Sequence, residues 1–396
     1  MYHARKGGRR LAGAAQSTQG GEFMNRRKFL TSASVGAGAA AATSFAAPAI
    51  AQSQPQVRWR LASSFPQALD TIYGTAEMMA QRVSDATNGN FDIRVFAGGE
   101  LVPPFEVLDA TSEGTVECGH SASYYYVGKN LAFGFDCAAP FGLTTRQQNA
   151  WMYEGGGIEL VREVLFDDYN IINFPMGNTG AQMGGWFRNE INSVEDIDGL
   201  KMRISGFAGA VLERLGLVPQ QLPGADVYPA LERGTIDATE WVGPYDDEKL
   251  GFNEVAEYYY YPGWWEAGPQ LTLYINKDAW NELTPEYQAI VQAAASEANI
   301  RMTARYDAEN PPALRRLVSK GTQLRSFNRD ILMACYKATQ ELYEEQVETN
   351  DKFRAIYEEW RKFRDEQYLW FRVAENSYDN FAFTAQARLE QEEEGN

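Results

Sequence analysis

The chain has 396 residues, with 36 Lys and Arg against 53 Asp and Glu for a net charge of −17, and contains two histidines and three cysteines. So acidic a protein repels a polyphosphate backbone, which excludes nucleic acid as a partner, and a small anion can bind only where a local cluster of donors overcomes that field. Two histidines also argue against His-based acid–base catalysis and against a multi-histidine zinc site.

Residues 1–23 are rich in Gly, Arg and Ala without an apolar period and read as an upstream extension. From Met24 the text becomes NRRKFL, then a Gly/Ala/Ser/Thr stretch to Ala47, then Pro48-Ala49-Ile50-Ala51. Twin arginines, a weakly apolar core and an A-x-A end describe an export signal of the twin-arginine type, cleaved after Ala51. Its core is too short and too rich in small residues for an anchor. From Gln52 onward 345 residues remain, enough for two domains, with 29 Lys and Arg against 52 Asp and Glu and a net charge of −23. No later stretch is apolar enough to span a bilayer, so a soluble periplasmic protein is expected. His120 is then the only histidine, and Cys118, Cys137 and Cys335 are not in metal spacing. They read as small buried residues, with a Cys118–Cys137 bridge open in an oxidising compartment.

Val57, Trp59 and Leu61 alternate with polar residues as in a strand, Ile72, Ala76, Met79 and Val83 have helical spacing over 66–88, and Phe91, Ile93 and Val95 alternate again. This β-α-β opening is the signature of an α/β layer with a mainly parallel sheet. A short helix over 105–112 ends near Gly114, and a strand over 115–119 runs on to Tyr124-Tyr125-Tyr126. A related unit recurs as a helix over 228–233, Gly234 and a strand over 235–241. Two helix-Gly-strand units suggest two similar lobes, and ligands of open α/β sheets lie beyond the carboxyl ends of strands. Tyr125 on one lobe and Glu240-Trp241 on the other would therefore face a shared cleft.

Between these units lies GNTGAQMGGWF over 177–187, four glycines threaded with amides, which can cross between lobes and expose backbone to a ligand. In GLKMRISGFAG over 199–209, Met202 and Ile204 point to one face of a strand and Arg203 to the other. An arginine so placed can clamp a carboxylate bidentately, or serve equally as a structural ion pair. The run YYYYPGWWE over 258–266 sets six rings around a Pro-Gly turn and ends in Glu266, a concave wall closing on one carboxylate. Residues 271–275 form another strand, expected to return the chain to the first lobe, and Thr284-Pro285-Glu286 opens a helix running toward Asn310-Pro311-Pro312. Past Gly321 no Gly or Pro occurs until Gly395. The run from Asn328 to Val373 predicts a helix approaching about 70 Å if straight, or one kinked near Thr349-Asn350 that folds back on its own chain.

The stretches 177–187, 199–209, EWVGPYDD over 240–247 and 258–266 resemble the solute-binding proteins of tripartite ATP-independent periplasmic (TRAP) transporters, in the DctP-like family, and within it the subgroup for 2-oxo and 2-hydroxy acids. The resemblance covers the chain from about Val57 onward. It implies a two-lobe α/β periplasmic binding protein with mixed, mainly parallel sheets, a ligand cleft between the lobes and a long C-terminal helix. Its segments would be a leader over 1–51, lobe I over 52–177 and 267–305, lobe II over 178–266 and 306–340, and a dimerising helical extension over 341–396. The resemblance gives Arg203 the role of carboxylate clamp and assigns a metal ion to Gln182, Glu240, the Trp241 carbonyl and Glu266, with sodium preferred to calcium. Asn178 and Gln182 join the substrate set, and Phe65, Tyr73, Tyr125 and Phe207 would surround a short apolar tail. A 2-oxo acid offers a carboxylate oxygen and its oxo oxygen as a five-membered chelate, which suits a hard cation. The implied function is capture of a pyruvate-like acid for two integral membrane subunits, without catalysis. Lactate or another 2-hydroxy acid is the alternative ligand, and a secreted metal-dependent enzyme using Glu240 or Glu266 as base is the alternative class. An adaptor dimer without a small ligand is a third.

Overall fold

A computed structural model describes residues 54–394, so the export signal lies outside the described residues. The chain opens with strand β1 (Val57–Ser63), helix α1 (Ile72–Ala86), β2 (Phe91–Phe96), α2 (Val107–Ser112) and β3 (Cys118–Ser121). Helices α3 (Thr145–Glu154) and α4 (Gly157–Val164) lead to β4 (Ile171–Asn178). Then come β5 (Gly185–Phe187), β6 (Lys201–Arg203), α5 (Gly206–Glu213), β7 (Val218–Gln220), α6 (Gly224–Glu232), β8 (Ala238–Thr239), α7 (Pro244–Lys249) and β9 (Tyr258–Tyr261). After β10 (Gln270–Asn276) follow α8 (Lys277–Asn281), α9 (Pro285–Ser319), β11 (Gln323–Ser326), α10 (Arg329–Thr349), α11 (Asp351–Val373) and α12 (Glu375–Glu394).

The strands form two mixed sheets, β2-β1-β3-β10-β4 and β11-β9-β5-β8-β6-β7. In the first, β1 runs parallel to β2 and β3, while β10 is antiparallel to β3 and β4. In the second, β6 is parallel to β7 and β8, β9 is parallel to β11, and β5 is antiparallel to β8 and β9. The alternation read in β1 and β2 puts Trp59, Leu61, Phe91 and Ile93 into a core shared with Met79 and Val83 of α1 and Tyr287, Val291 and Ala298 of α9. A larger core links the other face, the second sheet and the C-terminal helices.

Several elements differ from the sequence reading. Helix α1 starts at Ile72 rather than near Pro66, leaving 64–71 as a loop that carries Phe65 and Asp70. Strand β3 stops at Ser121, and Tyr124, Tyr125 and Tyr126 sit in a 3₁₀ turn beyond it. The strand expected over 235–241 is paired only at Ala238 and Thr239. Helix α9 continues through Pro311 and Pro312 to Ser319. Cys118, Cys137 and Cys335 are buried free thiols, so the Cys118–Cys137 bridge is not formed.

The Gly- and Pro-free run is helical, but it turns at Asn350, which is extended at φ −129° and ψ 101°. An Asn accepts helix N–H groups as a cap, and here its side chain accepts from Phe353 N at 3.1 Å and donates to Asn130 at 2.9 Å. The chain folds back, and Phe353, Ile356, Tyr357 and Trp360 of α11 become core residues. Phe135 packs on Phe353 and Trp360 at 5.0 and 5.2 Å between ring centroids. The Tyr368 hydroxyl donates to the Phe141 and Gly142 carbonyls at 2.5 and 3.0 Å. Beyond it Trp370, Val373, Tyr378, Phe381 and Phe383 are exposed. No helix among the described residues is long and apolar enough to cross a membrane.

Candidate acid and cation site

Three loops that leave strands of the two sheets meet: the segment after β4, the turn after β8 and the turn after β9. Backbone hydrogen bonds lock them together. Gln182 N donates to Glu266 O and Gly263 N to Gln182 O, both at 3.0 Å, and Met183 N donates to Val242 O at 3.1 Å. Two glycines make this approach possible. A Cβ on Gly263 would meet the Gln182 and Met183 carbonyls at 2.7 Å, and one on Gly185, which has φ +92°, would meet the Thr239 carbonyl at 2.4 Å.

Arg203 ends β6 with its side chain 1% exposed. Its Nη1 donates to the Glu240 carboxylate and, at 2.9 Å, to the Glu240 carbonyl. Its Nε donates to the Leu222 carbonyl at 3.2 Å, and its guanidinium lies 4.8 Å from the Trp241 ring centroid. The remaining nitrogen, Nη2, is buried with no partner. Three oxygens on other segments are in the same condition: Gln182 Oε1, Glu240 Oε2 and Glu266 Oε2. Burial pushes the Glu240 carboxyl up to about 7 despite Arg203. Burial, and then the Glu240 charge, push Glu266 well above the usual carboxylate range. A buried donor and three buried acceptors left open are costly unless a ligand satisfies them.

The donor set fits a hard cation. Carboxylate and amide oxygens are its preferred ligands, and a positive charge relieves the mutual penalty of two buried glutamates. Among the described residues no cluster of three or more His, Cys, Asp or Glu side chains could hold a metal. A cation here would therefore rest on two carboxylates completed by amide and main-chain oxygens.

The adjoining cavity, about 270 Å³ of non-atom space, is lined by Phe65, Ile72, Tyr124, Tyr125, Thr179, Gln182, Arg203, Trp241, Val242, Pro269 and Leu271. Only about 10 Å³ of it is open to a water-sized guest, so its walls must part before an acid of several heavy atoms can enter. Phe65, Tyr125, Gln182, Arg203 and Trp241 thus come together as the sequence suggested. Five other expected residues, Glu240, Glu266, Asn178, Phe207 and Tyr73, are not among its lining. Asn178 is spent on the fold, its amide donating to Gly268 O at 2.9 Å and its oxygen accepting from Thr145 Oγ1 and Gly180 N at 2.7 and 3.0 Å. Phe207 packs into the C-terminal helices against Phe135, Tyr343 and Phe353. Tyr73 is buried on α1 next to the lining residue Ile72. Sequence reasoning missed Ile72, Tyr124, Thr179, Val242, Pro269 and Leu271. Tyr124 was visible as a neighbour of Tyr125, whereas Leu271 reaches the cavity beside a register shift in β10 that no periodicity announces.

The seam is tied from outside. The Asp70 carboxylate pairs with Lys249 of α7 and Arg305 of α9 and accepts from the Tyr245 hydroxyl at 3.2 Å. Asp70 lies between the lining residues Phe65 and Ile72, and α7 follows Trp241 and Val242.

A cavity closed between two sheets, offering a small guest only donors, acceptors and rings, is the equipment of a solute-binding protein. The chain belongs to the bacterial extracellular solute-binding proteins, family 7, whose profile matches residues 62–350. It is 50% identical over 366 residues to a monocarboxylate 2-oxoacid-binding periplasmic protein of Nostoc, covering 92% of this chain and 100% of that one. A TRAP transporter solute-binding protein of Bordetella bronchiseptica, solved as a mixed-occupancy dimer with copurified calcium and picolinate, is 54% identical with a TM-score of 0.84, covering 85% of this chain and 100% of that one. One from Pseudoalteromonas atlantica, with bound sodium and pyruvate, is 38% identical with a TM-score of 0.80, covering 82% and 99%. One from Colwellia psychrerythraea, with bound calcium and pyruvate, is 39% identical at the same TM-score, covering 82% and 100%. The α/β fold with two mixed sheets and the TRAP solute-binding class are therefore those expected, and the protein is a transport component rather than an enzyme.

Proposed function

We propose that this protein captures a small 2-oxo monocarboxylate of the pyruvate type together with one hard cation in the periplasm and hands both to the integral membrane subunits of a TRAP transporter. The observation that carries this reading is the set of open buried valences: one guanidinium donor on Arg203 against three oxygens on Gln182, Glu240 and Glu266. One carboxylate oxygen of the acid takes the free Arg203 nitrogen. The other, with the oxo oxygen, completes the shell that Gln182, Glu240, the Trp241 carbonyl and Glu266 offer a cation. Pyruvate chelates through a carboxylate and an oxo oxygen and picolinate through a carboxylate oxygen and its ring nitrogen, each as a five-membered ring, which supports the reading, as does the cation named with each in related proteins. Sodium is the first assignment for the ion and calcium its competitor. Phe65, Ile72 and Leu271 would meet the tail, which keeps it short, and lactate is the nearest competing acid.

The lobes would be 52–177 with 267–305 and 178–266 with 306–340, parting to admit the acid. The NRRKFL signal would send the folded chain out by the twin-arginine route, and two copies would pair through the exposed rings of α12. Calorimetry with pyruvate, lactate and longer 2-oxo acids, in sodium or calcium after exhaustive chelation, tests the central claim. Glu240→Ala and Glu266→Ala should weaken ion and acid together, since each completes the other's site. Acid binding that survives both substitutions and full ion depletion would place the site elsewhere.

A further inference from the structure

Asp247 is 1% exposed on α7 and makes no ion pair; its carboxylate is held by three neutral donors. Trp186 Nε1 of β5 and the Tyr259 hydroxyl of β9 donate to Oδ2 at 3.0 and 2.7 Å, while Val242 N donates to Oδ1 at 3.3 Å. Trp186 and Tyr259 stack at 4.0 Å between centroids, so two of the three donors are rigidly presented. Burial without a cation is an expensive way to hold a carboxylate when a neutral side chain would fill the same volume. The third donor shows what the charge can do. The Val242 N–H belongs to the peptide unit whose C=O is that of Trp241, and in a planar trans peptide the two point in opposite directions.

We propose that Asp247 is the positioning residue for the cation site, acting through the Trp241–Val242 peptide. Capture of the Val242 N–H by a carboxylate fixes the peptide plane, which aims the Trp241 carbonyl away from Asp247. It also polarises the amide, raising electron density on the carbonyl oxygen that would touch the ion. No donor bonds that carbonyl among the described residues, and the flanking main chain is pinned by Met183 N on Val242 O at 3.1 Å and by Glu240 N on Arg203 O at 3.2 Å. Burial first, and the Glu240 charge last, raise the Asp247 carboxyl, so the two carboxylates lie within electrostatic reach of each other. Any ligand of the outer layer that orients an inner one shares this logic: its loss typically lowers metal affinity by about 10–100-fold.

This inference rests on the proposed ion site, and the experiment separates the two. Cation affinity is measured by calorimetry in wild type, Asp247→Asn, Tyr259→Phe and Glu240→Gln, with melting temperature and amide exchange at Val242 recorded in ion-free protein. Asp247→Asn should lose about tenfold or more in cation affinity and speed exchange at Val242. Tyr259→Phe, which removes a donor from the other oxygen, should lower the melting temperature while leaving cation affinity within about twofold. Asp247→Asn that folds and keeps wild-type cation affinity overturns the proposal, as does an equal loss in Tyr259→Phe, which marks a purely structural network. If Asp247→Asn fails to fold, unprotected exchange at Val242 in ion-free wild type overturns it and strong protection supports it. An unchanged cation affinity in Glu240→Gln instead removes the ion-site reading itself.

Discussion

The guanidinium of Arg203 bonds the side chain and the main-chain carbonyl of one residue, Glu240, and the pair is 1% and 0% exposed. Each partner keeps one polar atom open, Nη2 on the arginine and Oε2 on the glutamate. The ion pair therefore does not exhaust either group, which leaves Arg203 a free donor for the clamp role proposed above beside its structural one.

Arg203→Lys keeps the charge but loses the planar fork, so it cannot hold Glu240, Leu222 O and a carboxylate at once. Pyruvate affinity should fall by about tenfold or more, the equivalent of 1.4 kcal/mol. Arg203→Ala leaves Glu240 buried and unpaired and should also destabilise the fold by about 3–5 kcal/mol. Wild-type affinity in the lysine variant, read by calorimetry, would count against the clamp.

Asp70 ties the loop bearing Phe65 to α7, with side chains 46% exposed for Asp70 and 29% for Lys249. Partly exposed pairs contribute little to stability, about 0.2–1 kcal/mol, but Asp70 lies between the lining residues Phe65 and Ile72, so a seam that opens here would release a bound acid faster when the pair is lost. Asp70→Asn should raise the dissociation rate of pyruvate about two- to fivefold in stopped-flow tryptophan fluorescence, and the difference should vanish in about 1 M salt, where such charges are screened. An unchanged rate at low salt would show that the cavity opens by another route.

His120 lies buried on β3 with Nδ1 3.2 Å from Ser63 Oγ, its ring 5.1 Å from Phe65 and Nε2 unpartnered. Burial lowers its pKa from 6.5 to about 3, so the folded protein resists protonating it. The sign follows: its contribution is fully present above pH 6.5 and is lost as pH falls from 6.5 toward 3, by about 1.4 kcal/mol per pH unit. Asp136 opposes this, since burial raises its carboxyl to about 6 and its contribution declines as pH rises through the interval from 3.8 to 6. Urea melts of wild type and His120→Gln between pH 7 and 4.5 should diverge, with the variant losing less stability on acidification. Parallel curves would mean that His120 titrates normally.

Helix α11 belongs to the core of its own chain, so truncation after Asn350 removes Phe353, Ile356, Tyr357 and Trp360, each worth about 3–5 kcal/mol, and should abolish folding. Truncation after Val373 removes only α12, with exposed Tyr378, Phe381 and Phe383. That variant should keep acid affinity, and light scattering should show a shift from dimer to monomer. A full-length chain already monomeric at micromolar concentration would refute pairing through α12.

By itself the sequence determined whatever depends on local period and residue chemistry. The β1-α1-β2 opening follows from alternation and helical spacing, and the place of Arg203 at the end of a strand from the pattern of Met202 and Ile204 around it. The resemblance carried Gln182, Glu240, Trp241 and Glu266 to one place, which no spacing between 182 and 266 could do. Only the tertiary structure decided the rest. Phe207 and Tyr125 are both aromatic residues beside glycine turns, yet the return of α11 claims Phe207 for the core and leaves Tyr125 to the cavity. That return hangs on Asn350, whose side chain stops one helix and caps the next, a signal invisible to a search for Gly and Pro. In the sequence Asp247 is only the last residue of the stretch EWVGPYDD. Its meaning depends on Trp186, Tyr259 and Val242 arriving from three separate segments, because hydrogen-bond partners of a buried charge are fixed by packing in three dimensions and not by distance along the chain.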